Sequence, residues 1–195
     1  YIVLLDHDDE LTDDCLFELA KCIAVEDSDY VYSDEDKIES DGSFSQPFYK
    51  PDWSPDTLMS TMYTCHVSCV RRSLLKQVGL LRPEFDGSQD WDFVLRVTEV
   101  AKRISHIPKI LYHWRVIPQS VASDLNAKPY AIDAGRRARM AALERRKLKG
   151  TLESVPQLAG YFRVKYAVQG NPLVSIIIPS KNNGAVLNPC VNSIL

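Results

Sequence analysis

Continuous apolar runs and helical periodicities alternate along this chain. Residues 1–5 (YIVLL) and 173–179 (LVSIIIP) are apolar at almost every consecutive position. Such runs are typical of strands that are buried on both faces, as in a mostly parallel sheet. Between residues 16 and 23 the apolar positions instead recur at helical spacing. This alternation of strand and helix patterns predicts an α/β fold.

Shorter patterns predict the remaining elements. We expect helices over residues 57–62, 72–78, 88–103 and 129–149, and strands over residues 30–32, 65–71, 107–114 and 162–168. Apolar residues on several sides of the 88–103 segment predict a largely buried helix. Pro108 lies in the strand predicted over residues 107–114. Because proline has no N–H for a sheet, we expect either that this strand is at the edge of the sheet or that Pro108 stands at its start. Residues 40–56 predict an irregular loop and residues 116–128 a mobile loop.

The chain carries signs of a domain boundary near residue 171. Gly170, Asn171 and Pro172 interrupt the pattern just before the second apolar run, which is followed by the start of an amphipathic helix. We therefore expect one domain over residues 1–150, a linker with a strand over 151–171, and the start of another domain over 172–195. The chain starts inside an apolar strand without a methionine, so we expect an internal piece of a longer protein.

Composition excludes several classes of function. The 195 residues are 45% apolar and 25% charged, with a net charge of −3, which is ordinary for a soluble globular protein and does not favour nucleic acid. Residues 136–149 form a basic block, which we interpret as a solvated helix face, with contact to anionic lipid or to a phosphorylated partner as the alternative. The sequence has no apolar stretch of bilayer length and no visible signal peptide. We expect a cytoplasmic protein, with the inner face of the membrane as an alternative location.

The five cysteines do not form a metal-binding pattern. They contain no C-x-x-C pair, and although Cys65 and Cys69 bracket His66, a zinc site needs further ligands at suitable spacing. We expect reduced thiols, as in a cytosolic compartment.

The first candidate site follows the first apolar run. Asp6 and Asp8 come directly after it, with one residue between them. Ligands of open α/β sheets gather at the carboxyl ends of strands. Two carboxylates there favour a divalent metal that keeps open positions for phosphate oxygens. The neighbouring Asp9 and Glu10 are better explained as an acidic loop that leads into a helix.

Several motifs in a fixed order resemble the family 2 glycosyltransferases of the GT-A fold. The motifs are LLDHDD, YSDEDK, PDWSPD, GSQDWDF and LYHWR, and together they span nearly the whole chain. Each is weak alone, but their order makes a strong signal. The segment VSIIIPSKNN is similar to the opening strand of this family, although here it follows the other motifs. The resemblance implies a Rossmann-like mixed sheet flanked by helices, incomplete at its N-terminus, with the opening strand of a second GT-A domain at the C-terminus.

The resemblance also implies site residues. Asp6 and Asp8 match the DxD pair, so Asp8 and Asp6 would bind Mn²⁺ or Mg²⁺, with Asp6 also contacting the donor's ribose. Asp90 matches the base that activates the acceptor hydroxyl, His113 matches a histidine that completes the metal shell in some relatives, and Arg115 would contact the diphosphate. Position at a helix N-terminus would keep Asp90 ionised without making it strongly basic. The roles of Asp34 and Asp36, near the site in the family pattern, are less defined.

Each of these residues has a structural alternative. Asp90 would then merely cap its helix, and His113, which alternates with its neighbours along a strand, would be a core or edge residue. Asp92 is expected to be structural or to orient the acceptor. Core packing is favoured for Trp53 and Trp91 over a platform for a sugar ring.

The resemblance implies transfer, with inversion, of a hexose or deoxyhexose from a UDP-, GDP- or dTDP-sugar to a growing polysaccharide or lipid-linked glycan. We expect this chain alone to bind nucleotide weakly and to turn over little. Two alternatives remain: a nucleotidyltransferase of related fold, and a non-catalytic scaffold or carbohydrate-binding domain. For partners we expect no nucleic acid, and we leave open peripheral membrane contact and strand exchange between chains.

Overall fold

The computed structural model describes residues 1–117 and 129–194. In these residues one sheet contains six strands, and a separate hairpin contains two. The strands of the large sheet are β1 (Ile2–Leu4), β2 (Glu10–Leu11), β3 (Tyr30–Ile38), β4 (Phe44–Phe48), β5 (Ser68–Val70) and β6 (Ile104–Arg115). The helices are α1 (Cys15–Glu26), α2 (Pro55–Ser60), α3 (Leu75–Val78), α4 (Gln89–Val100), α5 (Pro129–Arg145) and α6 (Gly184–Asn192). The prediction of a mixed sheet flanked by helices is confirmed.

Strand β3 is the centre of the large sheet. The strand order is β1-β5-β3-β6-β2, and β4 pairs with the second half of β3 on the side that β5 occupies along the first half. Strand β6 runs parallel to β3, whereas the other pairings are antiparallel. Strand β1 is only half buried and pairs with β5 among the described residues. The expectation of burial on both faces for residues 1–5 was therefore wrong in this structure.

The helices cover both faces of the sheet. Side chains of β3 alternate between the two cores, because successive residues of a strand point to opposite faces. Tyr30 and Tyr32 pack in the core that includes α4, whereas Val31 packs in the core that includes α1. Residues 91–97 of α4 are all buried, as its apolar pattern predicted.

Two predictions about strands were wrong for identifiable reasons. Strand β3 does not stop at residue 32 but continues through the acidic cluster to Ile38, because buried partners satisfy its acidic side chains. Pro108 lies in an interior strand: Ser33 pairs with Ile107 and Asp34 pairs with Ile110, so Pro108 occupies a register shift. A bulge leaves residues outside the ladder and so accommodates a residue without an N–H. Strand β4 also lies within the segment expected to be irregular.

The basic block of residues 136–149 is only partly solvated. Helix α5 ends at Arg145, before the predicted Gly150, and Arg145 forms an ion pair with Glu99 at 2.7 Å. Arg139 is fully buried, with its guanidinium carbon 3.4 Å from the ring centroid of Trp91. The interpretation as a uniformly solvated helix face was thus wrong for Arg139.

The last part of the chain forms a hairpin, an extended stretch and a helix. The hairpin pairs β7 (Gly150–Ser154) with β8 (Phe162–Tyr166). The predicted strand over residues 173–179 is not formed, and Leu173 and Ile177 are 95% and 91% exposed. A strand needs a neighbour for its backbone groups, and no described strand lies beside this segment. The predicted helix after it is α6. Of the loop predicted over residues 116–128, residues 118–128 lie outside the described residues.

Among the described residues, no helix is both long enough and apolar enough to span a bilayer.

Candidate functional site

The site is built on the acidic loop, defined here as residues 6–10 between β1 and β2. The loop turns tightly, since the N–H of Asp9 donates to the carbonyl of Asp6 at 3.3 Å. The side chain of Asp6 is 62% exposed, whereas Asp8 is more enclosed. Partial burial, together with the nearby charge of Asp8, raises the pKa of Asp6. Two neighbouring carboxylates of like charge are stabilised by a cation placed between them.

Strand β6 fixes the shape of the acidic loop. The hydroxyl of Tyr112 donates to the Asp9 carboxylate and accepts from the N–H of Asp6. The backbone N–H of Arg115 donates to Asp9 at 2.8 Å, and its Nε donates to the carbonyl of Asp8 at 2.6 Å. Arg115 also pairs with Glu10. Arg115, predicted to contact a diphosphate, is thus held against the acidic loop by its backbone and its guanidinium.

His66 approaches the same loop from the segment before β5. Its Nε2 lies 3.6 Å from Oδ2 of Asp6, and its ring stacks on Tyr112 with centroids 4.7 Å apart. Burial, assisted by the charge of Lys50, lowers the pKa of His66 from 6.5 to about 4. The imidazole is therefore neutral near pH 7, which is the form that ligates metals.

Asp6, Asp9 and His66 form a group that fits a divalent cation. One ligand atom from each lies within 4.8 Å of the other two. Two carboxylates and a neutral imidazole are suitable donors for a divalent ion such as Mn²⁺. Burial also raises the pKa of Asp9, although its bonds from Tyr112 and Arg115 oppose the shift.

This group differs from the predicted metal set of Asp6, Asp8 and His113. Among the described residues, Asp6 belongs to the group, but Asp8 and His113 do not. His113 directs Nδ1 to Asp36 and stacks on Phe44 at a centroid distance of 4.1 Å. The opposite facing of Tyr112 and His113, expected from strand alternation, places Tyr112 rather than His113 beside His66.

Asp90 lies in the first turn of α4, as predicted. Ser88, not Asp90, is the N-cap residue. Burial raises the pKa of Asp90, the backbone N–H groups of Trp91 and Asp90 lower it, and the charge of Asp6 raises it further. Asp6 and Asp90 therefore act on each other electrostatically. The two backbone N–H groups at the start of α4 thus favour the anionic form of Asp90, whereas burial opposes it.

Asp92, two residues further, has a structural environment. Its side chain is fully buried between Arg82 and Arg96, with the Arg96 Nη2 at 2.8 Å. Burial alone would raise the pKa of Asp92, but the hydrogen bonds from both arginines lower it overall. Of the two roles expected for Asp92, the structural one agrees with this arrangement. Trp91 is likewise in the core, with Nε1 donating to the carbonyl of Leu58 at 2.9 Å.

Strand β3 brings the second acidic cluster to the interior beside the site. Glu35 pairs with the fully buried Lys50 at 3.0 Å. Asp34 accepts from the backbone N–H of Lys50 at 2.9 Å and contacts Nε2 of His106 at 2.8 Å. Sequence reasoning gave no role to Lys50, Glu35 or His66. In the sequence, Glu35 lies within the motif YSDEDK and Lys50 directly precedes the motif PDWSPD.

All five cysteines are free, and Cys15, Cys65 and Cys69 are buried. None of them belongs to the metal-compatible group found among the described residues.

Comparison with known proteins agrees with the resemblance that the motifs indicated. No known family profile matches the chain. The chain is 39% identical over its full length to the O-antigen biosynthesis protein RfbC of Myxococcus xanthus, of which it covers 15%. It is 42% identical, again over its full length, to the uncharacterized protein y4gI of Sinorhizobium fredii, of which it covers 22%. The chain thus spans about a fifth or less of the length of these curated relatives.

Solved structures with some similarity include S. aureus TarS in complex with UDP and with UDP-GlcNAc. The first has a TM-score of 0.44 and 19% identity, and covers 72% of this chain and 45% of that one. The second has a TM-score of 0.43 and 16% identity, and covers 72% of this chain and 47% of that one.

Proposed function

We propose that this chain carries part of the catalytic centre of a metal-dependent glycosyltransferase for polysaccharide assembly. The observation that carries the proposal is the group of Asp6, Asp9 and His66, which lies within electrostatic range of Asp90. Similarity to 15% of a protein named for O-antigen biosynthesis, at 39% identity over the whole of this chain, supports the same conclusion. The proposed reaction, glycosyl transfer, follows from the order of the motifs LLDHDD, YSDEDK, PDWSPD, GSQDWDF and LYHWR.

In this proposal Asp6, Asp9 and His66 hold Mn²⁺ in preference to Mg²⁺, since an imidazole nitrogen suits a transition metal better than Mg²⁺. The ion would neutralise charge that develops on the diphosphate leaving group as the sugar–phosphate bond breaks. Asp8, the second acid of the DxD pair, remains a proposed further ligand. Arg115 would supply positive charge near the same diphosphate.

Asp90 would accept the proton of the acceptor hydroxyl. A general base works best when its pKa is closer to the working pH, and burial moves the pKa of Asp90 in that direction. One base without a separate nucleophile favours a single displacement, and therefore inversion at the anomeric carbon. The proposed donor is a nucleotide-activated hexose or deoxyhexose, and the proposed acceptor a growing glycan or a lipid-linked one.

We also propose that the segments of this chain belong to two units. Residues 1–150 would be the C-terminal part of one GT-A domain, 151–171 a linker, and 172–195 the start of the next. The exposed apolar residues of 173–179 support this reading, since they need a neighbour to be buried. The short coverage of the curated relatives is compatible with such a piece.

The proposal is tested in the full protein that contains this chain. UDP-, GDP- and dTDP-sugars would be screened for hydrolysis and for transfer to a lipid-linked glycan, with Mn²⁺ and with EDTA. We expect release of nucleoside diphosphate from one donor, loss of that activity in EDTA and restoration by Mn²⁺. Formation of a nucleoside triphosphate and a sugar 1-phosphate when pyrophosphate is added to the donor would instead indicate a nucleotidyltransferase, and full activity in EDTA would contradict the metal site.

A further inference from the structure

We infer that the buried Lys50–Glu35 pair is a positioning device for His66 and so for the metal site. The inference rests on the proposed function for its consequence, although the positioning itself is independent of any bound ion. Lys50 comes from the segment before α2 and Glu35 from the middle of β3. Neither was assigned a role by the motifs or by the comparisons.

The pair holds the main chain of His66 from both sides. The Lys50 ammonium donates to the carbonyl of His66, and the Glu35 carboxylate accepts from the N–H of His66. The two side chains bond each other at 3.0 Å. Both ends of one residue's backbone are thus tied to a single ion pair, which restricts where the imidazole projects.

The Lys50–Glu35 pair is buried, which makes it a poor source of stability. The Lys50 side chain is 0% exposed and that of Glu35 is 8% exposed, so both charges are desolvated. Replacing a buried ion pair by apolar residues of similar volume is often neutral or stabilising, so such a pair is weak as a stabilising element. A pair whose hydrogen bonds converge on one histidine is better explained by the orientation of that histidine.

Aromatic rings complete the orientation. The His66 ring stacks on Tyr112, and it lies 5.6 Å from Trp114 between centroids. Tyr112 also bonds Asp6 and Asp9 through its hydroxyl. Tyr112 therefore links the acidic loop to the ring of His66, while the Lys50–Glu35 pair fixes the backbone of His66. Side chains that orient metal ligands typically contribute about 10- to 100-fold in metal affinity.

The test replaces the pair without leaving a lone buried charge. The site variant is Glu35→Leu with Lys50→Met. The control is Asp92→Leu with Arg82→Met and Arg96→Met, which removes a second buried acid together with both arginines that bond it, and none of these three side chains is hydrogen-bonded to His66. Each protein is titrated with Mn²⁺ by electron paramagnetic resonance at a temperature where circular dichroism shows it folded. The ring-proton shifts of His66 are measured by NMR without metal.

We expect the Mn²⁺ dissociation constant to rise about 10- to 100-fold in the site variant and to stay within about twofold in the control. We also expect the His66 ring protons to lose the shift caused by Tyr112 in the site variant alone. Unchanged ring shifts in the site variant would overturn the inference, whether or not metal binds.

The single variant Glu35→Gln retains an oxygen that accepts from the His66 N–H, so its ring shifts should stay close to those of the wild type. If the wild type itself bound no Mn²⁺, the proposed metal site would fail, and the metal-free ring shifts would still decide the positioning. The two failures are therefore distinguishable.

Discussion

Asp90 and Asp92 lie two residues apart in α4, yet their environments differ in kind. Asp92 is enclosed by Arg82 and Arg96, which hold its pKa below the ordinary value despite burial. Burial and the charge of Asp6 instead raise the pKa of Asp90. The carboxylate of Asp92 is paired with two arginines, whereas the carboxylate of Asp90 is desolvated and experiences the negative charge of Asp6.

The same contrast separates two regions of the molecule. Around Asp92 the charges satisfy each other, as expected of a structural cluster. Around the acidic loop, the pKa values of Asp6 and Asp9 are raised by burial. A desolvated carboxylate without a cationic partner lowers the stability of the folded chain. Such carboxylates are common at sites where a bound ligand supplies the positive charge. Within a single helix turn, Asp92 has arginine partners, whereas the side-chain charge that acts on Asp90 is that of another acid, Asp6.

The largest expected effect concerns the reaction. Asp90→Asn in the full protein should lower the rate of sugar transfer about 10²- to 10⁴-fold, because the acceptor hydroxyl loses its base. Rates are compared with those of Asp133→Asn, an exposed acid of α5 that forms an ion pair with Arg137. A near-normal rate of sugar transfer by Asp90→Asn would show that Asp90 is not the base for the acceptor hydroxyl.

The next effect concerns stability. Asp92→Asn should lower the free energy of unfolding by about 3–5 kcal/mol, because the buried Arg96 loses its anionic partner. Urea unfolding followed by circular dichroism measures this change. A loss below about 1 kcal/mol would mean that the arginine cluster is not structural.

Stability should respond to pH with opposite signs at the two acids. The folded pKa of Asp92 lies below its ordinary value of 3.8, so its contribution is present above that value and is lost as pH falls through the folded pKa. The folded pKa of Asp90 lies above 3.8, so protonation between the two values favours the folded state.

This comparison is measured with Asp90→Asn and Asp92→Asn against the wild type. From pH 7 toward pH 4, the wild type should gain stability relative to Asp90→Asn. Below about pH 4 it should lose stability relative to Asp92→Asn. Parallel curves for all three proteins would contradict the assigned environments.

The smallest effect is expected at Asp6. Asp6→Asn removes an exposed charge that repels Asp8, so the free energy of unfolding should change by less than about 0.5 kcal/mol or rise slightly. Thermal unfolding without added metal measures it. A loss as large as that of Asp92→Asn would show that Asp6 stabilises the fold.

Local patterns predicted most of the elements but not the partners of buried charge. The buried helix that begins near residue 88 followed from the apolar pattern, and the α/β class followed from the alternation of strand and helix patterns. The extension of β3 through Asp34, Glu35 and Asp36 did not, because propensity treats acids as strand breakers, whereas Lys50, His106 and His113 satisfy them in three dimensions. Long-range pairing of this kind has no local signature.

The candidate site was predicted in the same incomplete way. Motif order indicated Asp6, Asp90 and Arg115. His66 reaches the acidic loop only because the segment before β5 lies beside β6 and Tyr112, a placement that depends on the order of strands rather than on any spacing in the sequence. The burial that makes its imidazole neutral is likewise a property of the folded chain.

The most direct test of the central claim compares two histidines as ligands of one ion. His66→Phe and His113→Phe each exchange an imidazole for a ring of similar shape, and both proteins are titrated with Mn²⁺ beside the wild type. Ligation by Asp6, Asp9 and His66 predicts that His66→Phe weakens binding at least about tenfold while His113→Phe changes it less than about twofold. The opposite order, or equal binding by all three proteins, would contradict it.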